Sequence, residues 1–596
     1  MIFLETDVNK ILVRFTENEE CILSQDNEVS EIRVTGTIKI INPSGRSRIW
    51  NTVLKLENIE GTSLTERELN VGEVDIKSEW VKEYTVTDVD EPILKVQEIV
   101  DTYPIPKSDM AHAALAYNVE TKVTFTIRLI NTSDSHIKNI EVIKKIPDAF
   151  ENPDIEKPDS GIVEYNPGTR SIVWKGFELY PNGEAELRFS VDVLPSRAEP
   201  YDGGPLTVTY SISGITRSKL EPTLIAETSA FVGGDVSEDP KQPNQWICRL
   251  EFLNDSTFPL RINRAVIYQV HTDETREVIV EDYPNVLVNP GQSWIKETTL
   301  VSPEFPNVER EADYTVEFDV ERVILGRIEK TPKVLPVARV DSTMEFSPSS
   351  VHAYTKTPIE ATLEITNSGS ATLNEIIVTI DVPKDFKTPT PENIEVVKKN
   401  ISLEKEVEIT PVDEDPTKPH TVTIKIPNLI SSIEGLKPNE KIVVKFPLIA
   451  WIPKPNIEYN VTYQVKANVE PPVKYTMFES EPLKIEIKYV PRGLAAYKTV
   501  QAGKSAGEYV IPLKVVNRGE VRAENVMLSD FIPEGFELID WEPKDRQPDV
   551  SEVEGGKIIT WLFRAVEKGE EIEIRYTIKG TGKYIRREPK ITSTPK

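Results

Sequence analysis

The sequence predicts an all-β protein, a tandem array of about five β-sandwich domains. Three observations predict it. Apolar and polar residues alternate with period two along much of the chain, whereas the i, i+3, i+4, i+7 spacing of an amphipathic helix is hard to find. Prolines number 45 and glycines only 27, a balance that suits short strands with stiff connections. One frame of strands and turns recurs five times. A length of 596 residues agrees with about five domains.

The frame opens with an alternating strand that stops at Asn-x-Ser or Asn-x-Gly, at Asn42, Asn131, Asn254, Asn367 and Asn517. The residues two, four, six and eight places before each Asn are Ile40, Ile38, Gly36, Val34; Leu129, Ile127, Phe125, Val123; Phe252, Leu250, Cys248, Trp246; Ile365, Leu363, Ala361, Ile359; and Val515, Leu513, Ile511, Tyr509. All are apolar or small, so this strand faces a core in each repeat. The Asn belongs to a turn, where its side chain bonds the backbone two residues on.

A second alternating strand follows. Sixteen residues after the Asn stand Asn58, Pro147, Val270, Pro383 and Pro533. The prolines share the context Ile146-Pro-Asp-Ala-Phe150, Val382-Pro-Lys-Asp-Phe386 and Ile532-Pro-Glu-Gly-Phe536. Proline cannot donate to a ladder, so pairing stops there and the Phe returns to the core. Repeats two and five then carry Ile172-Val-Trp174 and Ile559-Thr-Trp561, whose tryptophans are expected in the core. Next comes a turn, such as Pro181-Asn-Gly-Glu184, Pro290-Gly-Gln292, Pro438-Asn-Glu440 or Lys568-Gly-Glu570, and then another strand. Late strands are expected at Leu206–Ile212, Tyr314–Val320 and Tyr459–Val465, and a short helix at Met110–Tyr117.

The Asn-x-Gly/Ser turn, the Ile-Pro-x-x-Phe strand end, the Trp strand and the Pro-Asn-Gly-Glu turn resemble the prokaryotic repeat called "domain of unknown function eleven", and more loosely the cell-adhesion-related CARDB type. The resemblance implies immunoglobulin-like sandwiches stacked in tandem in large, often surface-exposed proteins, and no catalytic residues. Expected domains are 1–90, 91–221, 222–337, 338–484 and 485–596, joined by short strand-like linkers such as Ile225–Ala230 and Leu483–Tyr489. Such junctions predict a semi-rigid rod on the order of 150–200 Å long, from sandwiches of about 35–40 Å each.

Charge restricts the partners. The formal charge is −27, which repels nucleic acid and anionic membrane over most of the surface. One segment departs from this average. Arg575, Lys579, Lys583, Arg586, Arg587, Lys590 and Lys596 face only Glu588, a net +6 that leaves −33 on the rest. This basic end is the candidate contact for an acidic protein partner or an anionic surface; the alternative is a solvated terminal strand and tail.

Other motifs carry little chemistry. Gly503-Lys-Ser-Ala-Gly507 matches a nucleophile elbow, but it precedes a strand and no His follows His420. The same Gly-Lys-Ser lacks the upstream glycine of a phosphate loop, where Lys498 stands. The acidic clusters Asp88–Glu91, Asp235–Asp239 and Asp413–Asp415 lack EF-hand spacing; Ca²⁺ at a domain junction is the one cofactor they suggest. Sequons stand at Asn131, Asn254, Asn400 and Asn460, and the first two are the repeat's own turns. The two cysteines exclude a disulfide framework: Cys248 reads as a buried small hydrophobe, and Cys21 is not expected to pair with it.

No run approaches 18 apolar residues, and no secretory leader is visible in Met1–Phe15. The leading expectation is therefore a non-enzymatic scaffold in the cytoplasm that binds protein partners through edges, loops or the basic end. The alternatives are a cell-surface adhesin or envelope protein, with a true start further upstream, and an accessory module of a carbohydrate-active system.

Overall fold

The computed structural model describes residues 9–103, 113–413, 415–491 and 493–593. They are 60% strand and 1% helix, so the chain is all-β. Of the expected helix at Met110–Tyr117, Met110 to His112 lie outside the described residues, and the rest holds the short strand Leu115–Ala116. The chain divides into two compact units, Met1–Val337 and Ala338–Lys596.

The first unit is organised on an eight-stranded sheet. Its order is Ile162–Asn166, Ser171–Lys175, Ile137–Lys145, Leu206–Ser213, Phe318–Lys330, Ile11–Leu23, Val29–Ile41 and Glu79–Val86. Pairing is antiparallel except between Ile11–Leu23 and Phe318–Lys330, which run parallel with Glu19 opposite Gly326. The strand Phe318–Lys330 thus lies between strands of the two preceding segments, and the expected strand Tyr314–Val320 is split at Glu317 between it and Val308–Val316. Likewise, Glu221–Glu227 pairs with Ile49–Glu57. The expected boundaries at 90/91 and 221/222 are therefore crossed by strand pairing, because each segment completes its neighbour's sheet.

Two apolar cores result. One gathers residues from 93–215 with Cys21, Leu23, Ile324 and Ile328. The other joins residues of 11–86 to residues of 220–316. Thr121–Asn131, flanked by Leu94–Asp101 and Glu184–Val193, covers the first core from the opposite sheet.

In the second unit, Val340–Ser347, Thr357–Asn367 and Lys441–Ala450 form one face of a sandwich. Glu375–Val382, His420–Ile426 and Tyr459–Asn468 form the other. Residues 494–592 make a further pair of sheets. Glu508–Asn517 lies between Leu494–Lys498 and Glu571–Gly580. Ala523–Pro533 lies between Gly556–Val566 and Lys590–Thr592.

The repeat frame explains these elements. All the inward positions before the five asparagines are buried except Trp246 and Tyr509, which are half-buried. Phe150, Phe386 and Phe536 are buried behind their prolines, as are Trp174 and Trp561 in their strands.

Candidate functional site

The five turn asparagines form the most regular polar feature of the chain. Each is at most 1% exposed. Each Oδ1 accepts the N–H two residues on, from Ser44, Ser133, Ser256, Gly369 and Gly519, at 2.9–3.0 Å. Each Nδ2 donates to a carbonyl four or five residues on and to a second loop: Asp75, Tyr180, Val288, Leu436 and Val566, at 2.7–3.0 Å. One amide thus joins two loops at one end of every repeat. Asn131 and Asn254 spend both polar atoms in this way, whereas Asn400 and Asn460 are exposed.

A second feature lies inside two of the sandwiches. Lys144 Nζ is 2.7 Å from Glu98 Oε1, both side chains at 0% exposure, and Lys330 Nζ is 3.3 Å from Glu98 Oε2. Burial pushes the Lys144 ammonium below its ordinary range, against the pull of Glu98. Lys498 Nζ is 2.7 Å from Asp530 Oδ2, with Tyr576 Oη donating to the same oxygen at 2.6 Å. Burial, then the Asp530 charge, pushes the Tyr576 hydroxyl up.

A third cluster holds the first unit together. The series Ile11, Val13, Phe15, Glu17, Glu19, Cys21, Leu23 is buried throughout. Tyr84 lies across Gly36, where an added Cβ would meet its ring at 2.1 Å, and donates to Glu17 Oε1 at 2.8 Å. Tyr210 lies across Gly326 in the same way and donates to Glu19. Arg217 donates from its backbone N–H to Glu17 at 2.5 Å and from Nε to Glu19 at 2.6 Å. Sequence reasoning missed this cluster. Its signal is the pair of carboxylates continuing an inward-facing series.

The basic end divides. Arg575 and Lys579 lie on the strand Glu571–Gly580, and Arg575 pairs with Glu573 at 2.9 Å. Arg586 donates to the Lys498 carbonyl at 2.7 Å, and Arg587 sits 3.8 Å over the Phe531 ring. Lys583 is exposed, Lys590 begins the strand Lys590–Thr592, and Lys596 lies outside the described residues. Two of the arginines thus dock the terminal segment on its own sandwich.

The remaining motifs resolve as local structure. Ser505 lies in a hairpin turn and donates to Glu508 at 2.7 Å. Asp239 accepts the Lys241 N–H, and Asp413 pairs with Lys418. Among the described residues, no group of three or more His, Cys, Asp or Glu side chains is placed to hold a metal ion. Cys21 and Cys248 are free and buried. No helix among them is long and apolar enough to cross a membrane.

No family model and no curated protein matches the chain, so the repeat family that the motifs resemble stays an expectation. Solved structures do match. The yeast delta-COP-I mu-homology domain, complexed with a Dsl1 WxWxV peptide, aligns at 10% identity over 55% of this chain and 98% of its own, TM-score 0.25. BcpA, the major pilin subunit of Bacillus cereus, aligns at 10% over 56% and 90%, TM-score 0.22. The C-terminal domain of the Streptococcus agalactiae AgI/II polypeptide BspA aligns at 6% over 65% and 99%, TM-score 0.27. The expected cytoplasmic location is withdrawn: these matches include a major pilin subunit and a domain of an AgI/II polypeptide. Likeness this distant transfers no residue role, substrate or partner.

Proposed function

We propose that the protein is a non-enzymatic, adhesin-like structural scaffold of the cell surface. The observation that carries the scaffold reading is the asparagine clip, present in all five repeats at the same place with the same bonds. The buried ionisable groups are likewise spent on each other: Glu98 on Lys144 and Lys330, Asp530 on Lys498 and Tyr576, Glu17 and Glu19 on Arg217 and two tyrosines. Polar groups satisfied inside a fold specify pairing and register. They leave recognition to loops and edges, where binding residues concentrate. In this reading the basic end, with Lys579, Lys583 and Lys590, is a contact for an acidic partner.

Labelling of intact cells of the source organism with antibodies against the chain tests the proposal. Label on intact cells supports it. Label that appears only after permeabilisation rejects the surface location.

A further inference from the structure

A cleft of about 440 Å³ in the second unit is lined by side chains that the fold leaves unused. One wall is the parallel pair Ser350–His352 and Leu483–Lys488, where His352 lies opposite Lys488. The other wall comes from Arg522 and Ala523, just beyond the Asn517 turn, and from Ile591–Ser593. Main-chain bonds fix both walls. Ala353 N–H donates to the Lys488 carbonyl at 2.9 Å, and Arg518 and Gly519 donate to the Gly493 carbonyl at 2.7 and 3.0 Å.

Two tyrosines stand in the cleft. The Tyr354 and Tyr489 rings meet edge to face, centroids 6.3 Å apart, and are 48% and 55% exposed. Aromatic surface left in water is an unused source of binding energy. Among the described residues, the Lys488 ammonium and both tyrosine hydroxyls make no hydrogen bond or ion pair. Arg522, by contrast, is 3.4 Å from Glu567. The hydroxyls of Thr355, Thr592 and Ser593, the His352 ring and the Glu524 carboxylate, which lies 3.9 Å from Arg522, complete the lining.

We propose that this cleft binds a short acidic oligosaccharide. The apolar face of a sugar ring packs on a tyrosine, its hydroxyls exchange hydrogen bonds with the lining, and its carboxylate pairs with Lys488. The volume falls in the range of small-ligand sites, roughly 300–1,000 Å³. The Lys488 ammonium, exposed and without an ion-pair partner among the described residues, offers an acid a charge-assisted contact that a neutral sugar cannot use. The inference deepens the adhesin-like reading by naming what such a surface would hold, and rests on it for its biological setting alone.

Calorimetric titration of the full chain with trigalacturonic acid tests it, with neutral maltotriose and tri-glutamate as comparisons. Saturable binding of the acidic sugar is expected, at least tenfold tighter than either comparison and weakened by added salt. Lys488→Glu and Tyr489→Ala should each lower the affinity at least tenfold, with circular-dichroism melts unchanged. Lys484→Glu, on the same strand and outside the cleft, should leave it as it was. The proposal is overturned by no binding of the acidic sugar, by equal binding of maltotriose or tri-glutamate, or by indifference to both cleft variants. None of these outcomes alters where antibodies label the cell, so the two readings fail separately.

Discussion

Lys498 and Asp530 form an ion pair between the two sheets of one sandwich, Nζ to Oδ2 2.7 Å, with neither side chain reaching solvent. Lys498 lies opposite Leu513, four residues before Asn517, and Asp530 stands thirteen after it. In repeat two the same frame positions hold Glu98, opposite Ile127, and Lys144. The charges are exchanged between the sheets and the pair is kept. In repeat four the positions hold Met344, opposite Leu363, and Ile380, both buried. The frame thus accepts a paired charge of either polarity or an apolar pair.

Removing one partner should therefore be far worse than removing both. Asp530→Ala leaves a buried ammonium unpaired and should cost about 3–5 kcal/mol. The triple change Lys498→Met, Asp530→Ile, Tyr576→Phe copies repeat four and also relieves the tyrosine of its lost acceptor. It should recover most of that loss in a calorimetric melt of the full chain. A triple variant as unstable as Asp530→Ala would show that the site has no apolar solution.

The turn asparagines should matter more than a single exposed turn bond of about 1 kcal/mol. Asn131→Ala and Asn517→Ala each strip buried carbonyls and an N–H of their partner. Each should destabilise by about 2–4 kcal/mol, since an unsatisfied buried group costs about 1–3 kcal/mol. Asn400→Ala and Asn460→Ala, at exposed positions, should stay within about 0.5 kcal/mol of the parent. Denaturant melts of the four variants check the contrast, and equal effects would contradict it.

Alkaline pH should unfold the chain through its tyrosines. Burial, then the charges of Glu17, Glu19 and Asp530, raises the hydroxyls of Tyr84, Tyr210 and Tyr576. Burial, then the Asp385 hydrogen bond, brings Tyr459 up to about 12. The folded state holds these protons above the ordinary value of 10.0, so their stabilisation is complete below that pH and is lost as pH rises past it. Tyrosinate absorbance followed beside circular dichroism should show Tyr84, Tyr210 and Tyr576 ionising only as the chain unfolds. All tyrosines titrating together in a folded chain would contradict this.

The features legible in the sequence are those with local causes. Alternation gave the inward series, and turn chemistry gave the asparagines. Proline and the residue three beyond it gave the buried Phe150, Phe386 and Phe536. The parallel pairing of Ile11–Leu23 with Phe318–Lys330 was not legible, because two strands some 300 residues apart leave no short-range mark. Gly36 and Gly326 read as weak strand positions until the rings of Tyr84 and Tyr210 are seen to fill them. The basic end read as one patch by charge count, whereas Arg586 and Arg587 are spent on a carbonyl and an aromatic ring.

The most direct test of the scaffold account is hydrogen exchange at the five amides that each clip asparagine holds: Ser44, Ser133, Ser256, Gly369 and Gly519. Turn amides ordinarily exchange fast, while amides bonded in a buried network exchange only when their unit opens. Residue-resolved exchange on the full chain should find all five protected to the level of the core strands beside them. Exchange at these amides as fast as in exposed loops would contradict the clip as the element that holds the repeats together.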